Sequence, residues 1–229
     1  MNVLILKMGG TGSRFGSDIP KQFHEFNGKP LFTHVLREYE EIGVIDKYII
    51  VCHKDWIDYT IPFSAECVGD KLLAVIPGGD TGAKSIKNGI MYIKDYADDN
   101  DIILLHDATN PVIVKDKIPE IIQSAFVYGF ATLGLEQVHA IYEKSDDNFA
   151  MRTLNKNTVT SGYSPEAFLF KYIYECYSTA TDDELETATS AIALARWHHA
   201  TAKIIIGNFI NLKITYKDDL DAFRKLYKK

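Results

Sequence analysis

Apolar positions in the first half of the chain fall into two alternating patterns. Residues 3–6, 48–52, 72–76 and 102–105 are short unbroken apolar runs. Runs of that length predict strands buried on both faces. Between them, Phe32, Val35, Leu36 and Tyr39, then Ile86, Ile90 and Ile93, then Ile118, Ile121, Ile122, Ala125 and Phe126 recur at helical spacing. Gly43 ends the first helical stripe, and Pro119 suits the first turn of the third. Strand, helix, strand, helix in succession predicts an α/β fold of Rossmann-like type: a mainly parallel sheet with helices on both faces.

The second half is less regular. Residues 131–136 read as a strand, and the polar stretch 137–160, with charged residues at 143–148, reads as a β-hairpin arm protruding from the sheet. Residues 165–177 and 185–197 are expected to be helical, and 202–206 and 210–215 to be strands. Asp218 is expected to cap a last helix carrying Leu220, Phe223 and Tyr227. There is no internal repeat or linker composition, so residues 1–229 are expected to form one domain with an arm at 137–160.

The chain has 229 residues, 46% apolar and 24% charged, and a net charge of −6. That composition argues against a disordered chain and against nucleic-acid binding, which needs clustered cations. The apolar N-terminus is too short for a secretion signal or a membrane span. Three cysteines without a C-x-x-C pair suggest reduced thiols in a cytoplasmic protein.

In such sheets ligands bind beyond the carboxyl ends of the strands, so the chemistry is sought in the loops there. The first strand runs into Lys7-Met8-Gly9-Gly10-Thr11-Gly12-Ser13-Arg14-Phe15-Gly16, followed by Pro20-Lys21-Gln22-Phe23. Glycines permit close approach to a ligand, their amides can line an oxyanion site, and Arg14 and Lys21 add positive charge. The spacing is neither the G-x-x-x-x-G-K-[ST] of a P-loop nor the G-x-G-x-x-G of dinucleotide-binding folds, because the third glycine comes one residue late.

The stretch from Gly9 to Phe23 resembles the signature loop of the cytidylyltransferases that make CDP-activated polyols. That family includes the methylerythritol 4-phosphate and the ribitol 5-phosphate cytidylyltransferases. Four further segments resemble the family in the same order. They are Gly78-Gly79-Asp80 with Ser85; His106-Asp107-Ala108-Thr109-Asn110-Pro111, similar to H-D-A-x-R-P; Ser164-Pro165-Glu166-Ala167-Phe168, similar to T-P-Q-x-F; and Asn211-Leu212-Lys213-Ile214-Thr215 with Asp219-Leu220.

The resemblance implies transfer of a cytidylyl group from CTP to a polyol phosphate. By it, Arg14, Lys21 and Lys213 would be the catalytic cations at the reacting phosphorus. Met8, Gly9, Gly10, Thr11, Gly12, Ser13, Gly79, Asp80, Ser85 and Ala108 would bind the nucleotide. Asp107, Lys156 and Ser164 would bind the acceptor, Asp107 would also meet Mg²⁺, and the arm would make a homodimer in which Lys156 and Ser164 could serve the neighbouring subunit's site. A phosphate monoester, with its second pKa about 6, is already anionic near neutral pH and needs no general base. His106 therefore reads first as a packing residue.

Departures from the family cluster on the acceptor side. Asn110 stands where the family has Arg, Gly82 where it often has Arg, Ala140-Ile141 where methylerythritol-specific members have Asp-Thr, Lys156 for Arg and Ser164 for Thr. For the family's T-D-E-A segment, residues 181–184 and 186–189 compete. Arg to Lys at a phosphate site changes both geometry and donor number. The expected acceptor is thus ribitol 5-phosphate-like. The alternatives are methylerythritol 4-phosphate, and a non-catalytic nucleotide-binding protein of the same fold.

Overall fold

The apolar run at 3–6 lies within β1 (Asn2–Met8), the fifth strand of a seven-stranded sheet. A computed structural model describes residues 1–10, 13–198, 200–207, 210 and 212–227. The other strands of the sheet are β4 (Lys47–Cys52), β5 (Leu72–Pro77), β6 (Ile102–Asp107), β7 (Phe130–Glu136), β10 (Thr160–Leu169) and β11 (Lys203–Gly207). Their order is β11-β7-β10-β6-β1-β4-β5. β1 pairs in parallel with β4 and β6, β4 with β5, and β7 with β11, while β10 is antiparallel to both β6 and β7. A small ribbon, β2 (Glu25–Phe26) with β3 (Lys29–Pro30), follows the glycine loop. The expected arm is present as the antiparallel pair β8 (Ile141–Lys144) and β9 (Ala150–Leu154).

Helices cover both faces, because successive strand residues point to opposite sides. Leu4, Leu6 and Ile50 face α1 (Leu31–Ile42), α2 (Ile57–Val68) and α4 (Ile118–Tyr128). Val3, Ile5, Ile49 and Val51 face α3 (Gly82–Ile93), α5 (Phe170–Thr179), α6 (Asp182–Thr187) and α7 (Ala191–Trp197). The helix α1 stops where expected: Gly43 takes φ 73° and its N–H bonds to the Tyr39 carbonyl. A third cluster joins Phe15, Phe26, Leu31, Val112 and Ile214 to Leu220 and Phe223 of the last helix, α8 (Lys217–Leu226). It anchors the residue after Arg14 and the residue after Lys213 in one buried unit.

Several expectations are corrected. Residues 165–169 are not helical; they complete β10, whose Ala167 and Phe168 are fully buried between β6 and β7. A strand buried on both faces shows no alternation, and Pro165 sits where the ladder with β7 is interrupted between Tyr163 and Glu166. Residues 185–197 form two helices: α6 closes with the Ala188 N–H on the Glu184 carbonyl, and the Ser190 hydroxyl caps α7 by accepting from Ala193 N–H at 3.0 Å. The described residues of 210–215 form no strand, although Ile214 N–H bonds to the Thr109 carbonyl at 2.8 Å. The cap of α8 comes from Asp219, not Asp218: its carboxylate accepts from the N–H groups of Thr215 and Tyr216, both at 2.8 Å. Helix α2, which contains Pro62, has no counterpart in the hydrophobic pattern.

Candidate active site

A cleft of about 720 Å³ opens at the carboxyl ends of β1, β4, β5 and β6. Its floor is glycine backbone from two loops. Met8, Gly9 and Gly10 come from β1, and Gly79 and Asp80 from the loop after β5. The two loops touch: a Cβ on Gly9 would lie 3.2 Å from Ser85 Oγ and 3.6 Å from the Cα of Gly78. Glycine at both positions keeps that approach uncrowded, since a Cβ on Gly78 would lie 2.9 Å from the same hydroxyl. Ser85, on the first turn of α3, ties the second loop together. Its hydroxyl accepts from Gly79 N–H at 3.1 Å and donates to the Thr81 carbonyl at 2.9 Å. Thr81 caps α3, accepting from Lys84 N–H, and donates its own hydroxyl to the Leu185 carbonyl at 2.8 Å.

The first loop is braced from behind by Gln22, 1% exposed, whose amide donates to the carbonyls of Met8 at 2.8 Å and Gly10 at 2.9 Å. Phe23 stacks on Trp56 at 4.2 Å, fixing the turn that carries Lys21. Phe15 is buried and packs on the His24 ring at 4.7 Å, which leaves the adjacent Arg14 on the cleft wall.

Arg14, Lys21 and Lys213 all line this one cleft, as expected, although they come from the glycine loop, the following turn and the C-terminal segment. Lys7 joins them, making four cations against the two carboxylates of Asp80 and Asp107 among the described lining residues. Burial, then the charges of Lys213 and Arg14, push the Lys21 pKa down. A cluster of cations that repel one another is relieved by a bound polyanion.

Asp107 sits at the end of β6. Its Oδ1 accepts from Lys7 at 2.9 Å and its Oδ2 from Lys213 at 2.8 Å. Burial alone would raise its pKa, but the two lysines outweigh burial and hold the carboxyl well below its ordinary value. Lys7 was not among the sequence candidates. The signal that could have found it is a lone lysine inside an otherwise apolar strand, where an unpaired charge is costly. His53, Thr109, Ser190 and Thr215 also line the cleft and had been given no site role. Between the two competing segments, 186–189 places Ala188 and Thr189 on the cleft wall, whereas Thr181 and Glu184 form the capping box of α6.

Four expected site residues lie elsewhere or need a different account. Ala108 is fully buried in the core, its N–H bonded to the Lys7 carbonyl at 3.0 Å, so its side chain faces no ligand. Ser164 is 9% exposed and sits behind the wall, where its hydroxyl accepts from Asn110 Nδ2 at 3.0 Å. Lys156 lies on the arm beside Val138, away from the cleft of its own chain. Ser85 lines the cleft, but its hydroxyl is engaged with its own loop. Thr11 and Gly12 lie outside the described residues, as do His199 and Asn211; Ser13 opens the short turn Ser13–Phe15.

His106 is fully buried: Nδ1 meets the Tyr39 hydroxyl at 3.0 Å and Nε2 meets the Asn110 carbonyl at 2.8 Å. Burial lowers its pKa to about 4. The neutral ring donates from Nε2 and accepts at Nδ1, and so holds the 107–110 turn from within.

No cluster of three or more His, Cys, Asp or Glu that could hold a metal occurs among the described residues. None of their helices is long and apolar enough to cross a membrane.

Known structures and sequences share this architecture. The Francisella tularensis 2-C-methyl-D-erythritol 4-phosphate cytidylyltransferase superposes with a TM-score of 0.81 at 21% identity, covering 98% of each chain. The 4-diphosphocytidyl-2C-methyl-D-erythritol synthase of Anaerococcus prevotii gives 0.81 at 20% identity, covering 100% of this chain and 99% of that one. Likeness at such identity concerns the fold. Among curated sequences, a ribitol-5-phosphate cytidylyltransferase of Lacticaseibacillus paracasei is 28% identical over 227 residues, 98% of this chain and 97% of its own. A 2-C-methyl-D-erythritol 4-phosphate cytidylyltransferase of Clostridium novyi is 28% identical over 220 residues, 96% and 93% of the two chains. Residues 2–226 match the sequence family IspD, described as 2-C-methyl-D-erythritol 4-phosphate cytidylyltransferase. With that match spanning nearly its whole length, the chain belongs to the IspD family of nucleotidyltransferases.

Proposed function

We propose that this enzyme transfers the cytidylyl group of CTP to a polyol phosphate, with ribitol 5-phosphate-like acceptors favoured over methylerythritol 4-phosphate. The observation that carries the reading is the convergence of Arg14, Lys21 and Lys213 on one cleft floored by two glycine loops. Such a cleft suits a triphosphate: backbone amides without side-chain bulk, and fixed cations around the phosphorus that reacts.

An oxygen of the acceptor phosphate attacks the α-phosphorus of CTP, the bond from that phosphorus to the β-phosphate bridging oxygen breaks, and pyrophosphate leaves. No proton has to move. The chain's task is to bring two anions together and to hold the charge of the transition state, which Arg14, Lys21 and Lys213 do by position. Asp107, one of two carboxylates lining the cleft, has a lysine on each oxygen and would hold Mg²⁺ by exchanging Lys213 for the ion, which is commonly held by one or two carboxylates together with substrate phosphates. Bound there, Mg²⁺ would shield phosphate charge. The arm, with Val138, Phe149 and Met151 exposed, is assigned to a homodimer in which Lys156 reaches the neighbouring subunit's acceptor. The acceptor preference is supported by Asn110, Ile141 and Lys156 and by the ribitol-5-phosphate relatives.

Pyrophosphate release, measured with CTP and a panel of polyol phosphates, tests the reading. Turnover is expected with a pentitol phosphate, and Lys21→Ala should lower it at least about 100-fold by removing one fixed transition-state contact. Release with methylerythritol 4-phosphate alone would overturn the acceptor assignment. CTP binding without release on any acceptor would overturn the activity.

A further inference from the structure

We propose that Lys7 is a positioning residue: the fixed counter-ion of Asp107, which lets Lys213 leave its ion pair for an anionic substrate, with Glu166, one strand beyond Asp107, as a second counter-charge to Lys7. The inference rests on the cytidylyl-transfer reading for the role of Lys213.

The two lysines on Asp107 are not equivalent. Lys7 stands on β1, between β4 and β6, with its Cα in register with that of Asp107, and its side chain is 17% exposed. Lys213 comes from an irregular segment, and its side chain is 51% exposed. One partner is held by the sheet and the other is free to swing.

Glu166 completes the arrangement. It pairs in register with Leu105 on β6, two residues before Asp107, so Glu166, Asp107 and Lys7 share one face of the sheet. Both carboxylates act on Lys7 and together outweigh the burial that opposes its charge. Glu166 also accepts from Ile192 N–H at 3.3 Å, on the first turn of α7, just after the Ala188–Ser190 wall of the cleft. It stands where the resembled segment T-P-Q-x-F has an uncharged Gln, so this chain carries one more acid at the place where it also carries Lys7.

The charge count gives the arrangement its consequence. With Glu166 ionised, Glu166, Lys7, Asp107 and Lys213 sum to zero; burial raises the Glu166 pKa and Lys7 opposes that rise. When Lys213 turns to a phosphate, Asp107 keeps a partner at 2.9 Å. Without Lys7, Lys213 would be the only protein counter-ion of a largely buried carboxylate, and its departure before Mg²⁺ arrives would leave that charge uncompensated. Lys213 would then be pinned.

The test compares Lys7→Met, Lys7→Arg and the double variant Lys7→Met/Glu166→Gln by two readouts. The first is steady-state pyrophosphate release with CTP and the best polyol phosphate of the wild type. The second is the acetylation rate of Lys213 by an N-hydroxysuccinimide ester, read by peptide mass spectrometry. Lys7→Met should lower kcat at least about tenfold while the KM for CTP stays within about threefold, because an interaction used in turnover rather than in nucleotide binding has been lost. The double variant removes the orphaned acid along with the lysine, so it should melt like the wild type yet keep the kcat loss. Lys7→Arg should regain most of the rate. Lys213 should react about threefold or more slowly wherever Lys7 is absent, since a tightened ion pair withholds its amine. A double variant with wild-type kcat and wild-type Lys213 acetylation overturns the proposal. If the wild type itself releases no pyrophosphate with any acceptor, the transfer reading fails, and the acetylation rates still decide whether Lys7 frees Lys213.

Discussion

Gln22 donates its amide to the carbonyl oxygens of both Met8 and Gly10, so a residue of the Pro20-Lys21-Gln22-Phe23 turn shapes the glycine loop that precedes it. Gln22→Leu fills the space but strands the buried Met8 carbonyl, while the carbonyl of the exposed Gly10 loses its brace. Each buried acceptor without a partner costs about 1–3 kcal/mol. Gln22→Leu should therefore lower kcat/KM for CTP by about 10- to 100-fold, with the KM for the polyol phosphate much less affected. Equal loss for both substrates would contradict a role confined to the nucleotide loop.

The second loop gives a contrast between neighbouring glycines. A Cβ on Gly79 would meet Lys84 Cβ at 2.5 Å and the Lys84 carbonyl carbon at 3.1 Å, whereas one on Gly82 would meet nothing within 4 Å. Gly79→Ala should cost about 1–3 kcal/mol, the usual range for overpacking. Gly82→Ala, at the start of α3, should be neutral or stabilise by up to about 1 kcal/mol. Urea midpoints of the two variants check this.

The buried His106 links stability to pH. Its folded pKa of about 4 lies below the ordinary value of 6.5, because burial opposes the charged ring. The unfolded chain therefore takes up the proton first, and stability falls as pH drops from about 6.5 through about 4. The loss attributable to this ring approaches roughly 3 kcal/mol at the acid end. Urea midpoints between pH 7 and pH 4 should fall in the wild type and fall much less in His106→Gln. Asp107 acts in the same direction at lower pH: its carboxyl is held below its ordinary value of 3.8, so its contribution too is lost as acid protonates the unfolded chain first.

The arm offers an oligomerisation test. Phe149 is 70% exposed and Met151 67% exposed on the hairpin that carries β8 and β9. Phe149→Asp/Met151→Asp should convert a dimer to a monomer in sedimentation velocity and lower turnover, while the melting temperature changes little. A wild-type monomer at micromolar concentration would remove the arm from the catalytic account.

The sheet half built from β1, β4, β5 and β6 was legible because each strand contains an unbroken apolar run, and three of the four end in loops with chemistry of their own: Met8–Gly10, Gly78–Gly79, Asp107–Asn110. The antiparallel β10 was not, since Ala167 and Phe168 are buried from both sides and give no alternation; its Pro165 resembled a helix start. The three cations Arg14, Lys21 and Lys213 were legible from motif order. Lys7 was hidden because a strand lysine reads as surface until its register with Asp107 is known. Ala108 and Ser164 show the reverse: a motif names neighbours of the cleft as readily as its lining, and only burial separates them.

The reversed direction of β10 has a mechanical outcome. Running against β6 and β7, it begins at the rim where those strands end, so the hairpin leaves the sheet beside the catalytic opening. A second copy grasping that hairpin would press on the margin of the cleft proposed to take the polyol phosphate. Dilution should then slow turnover through weaker capture of the acceptor, with the grip on CTP left intact.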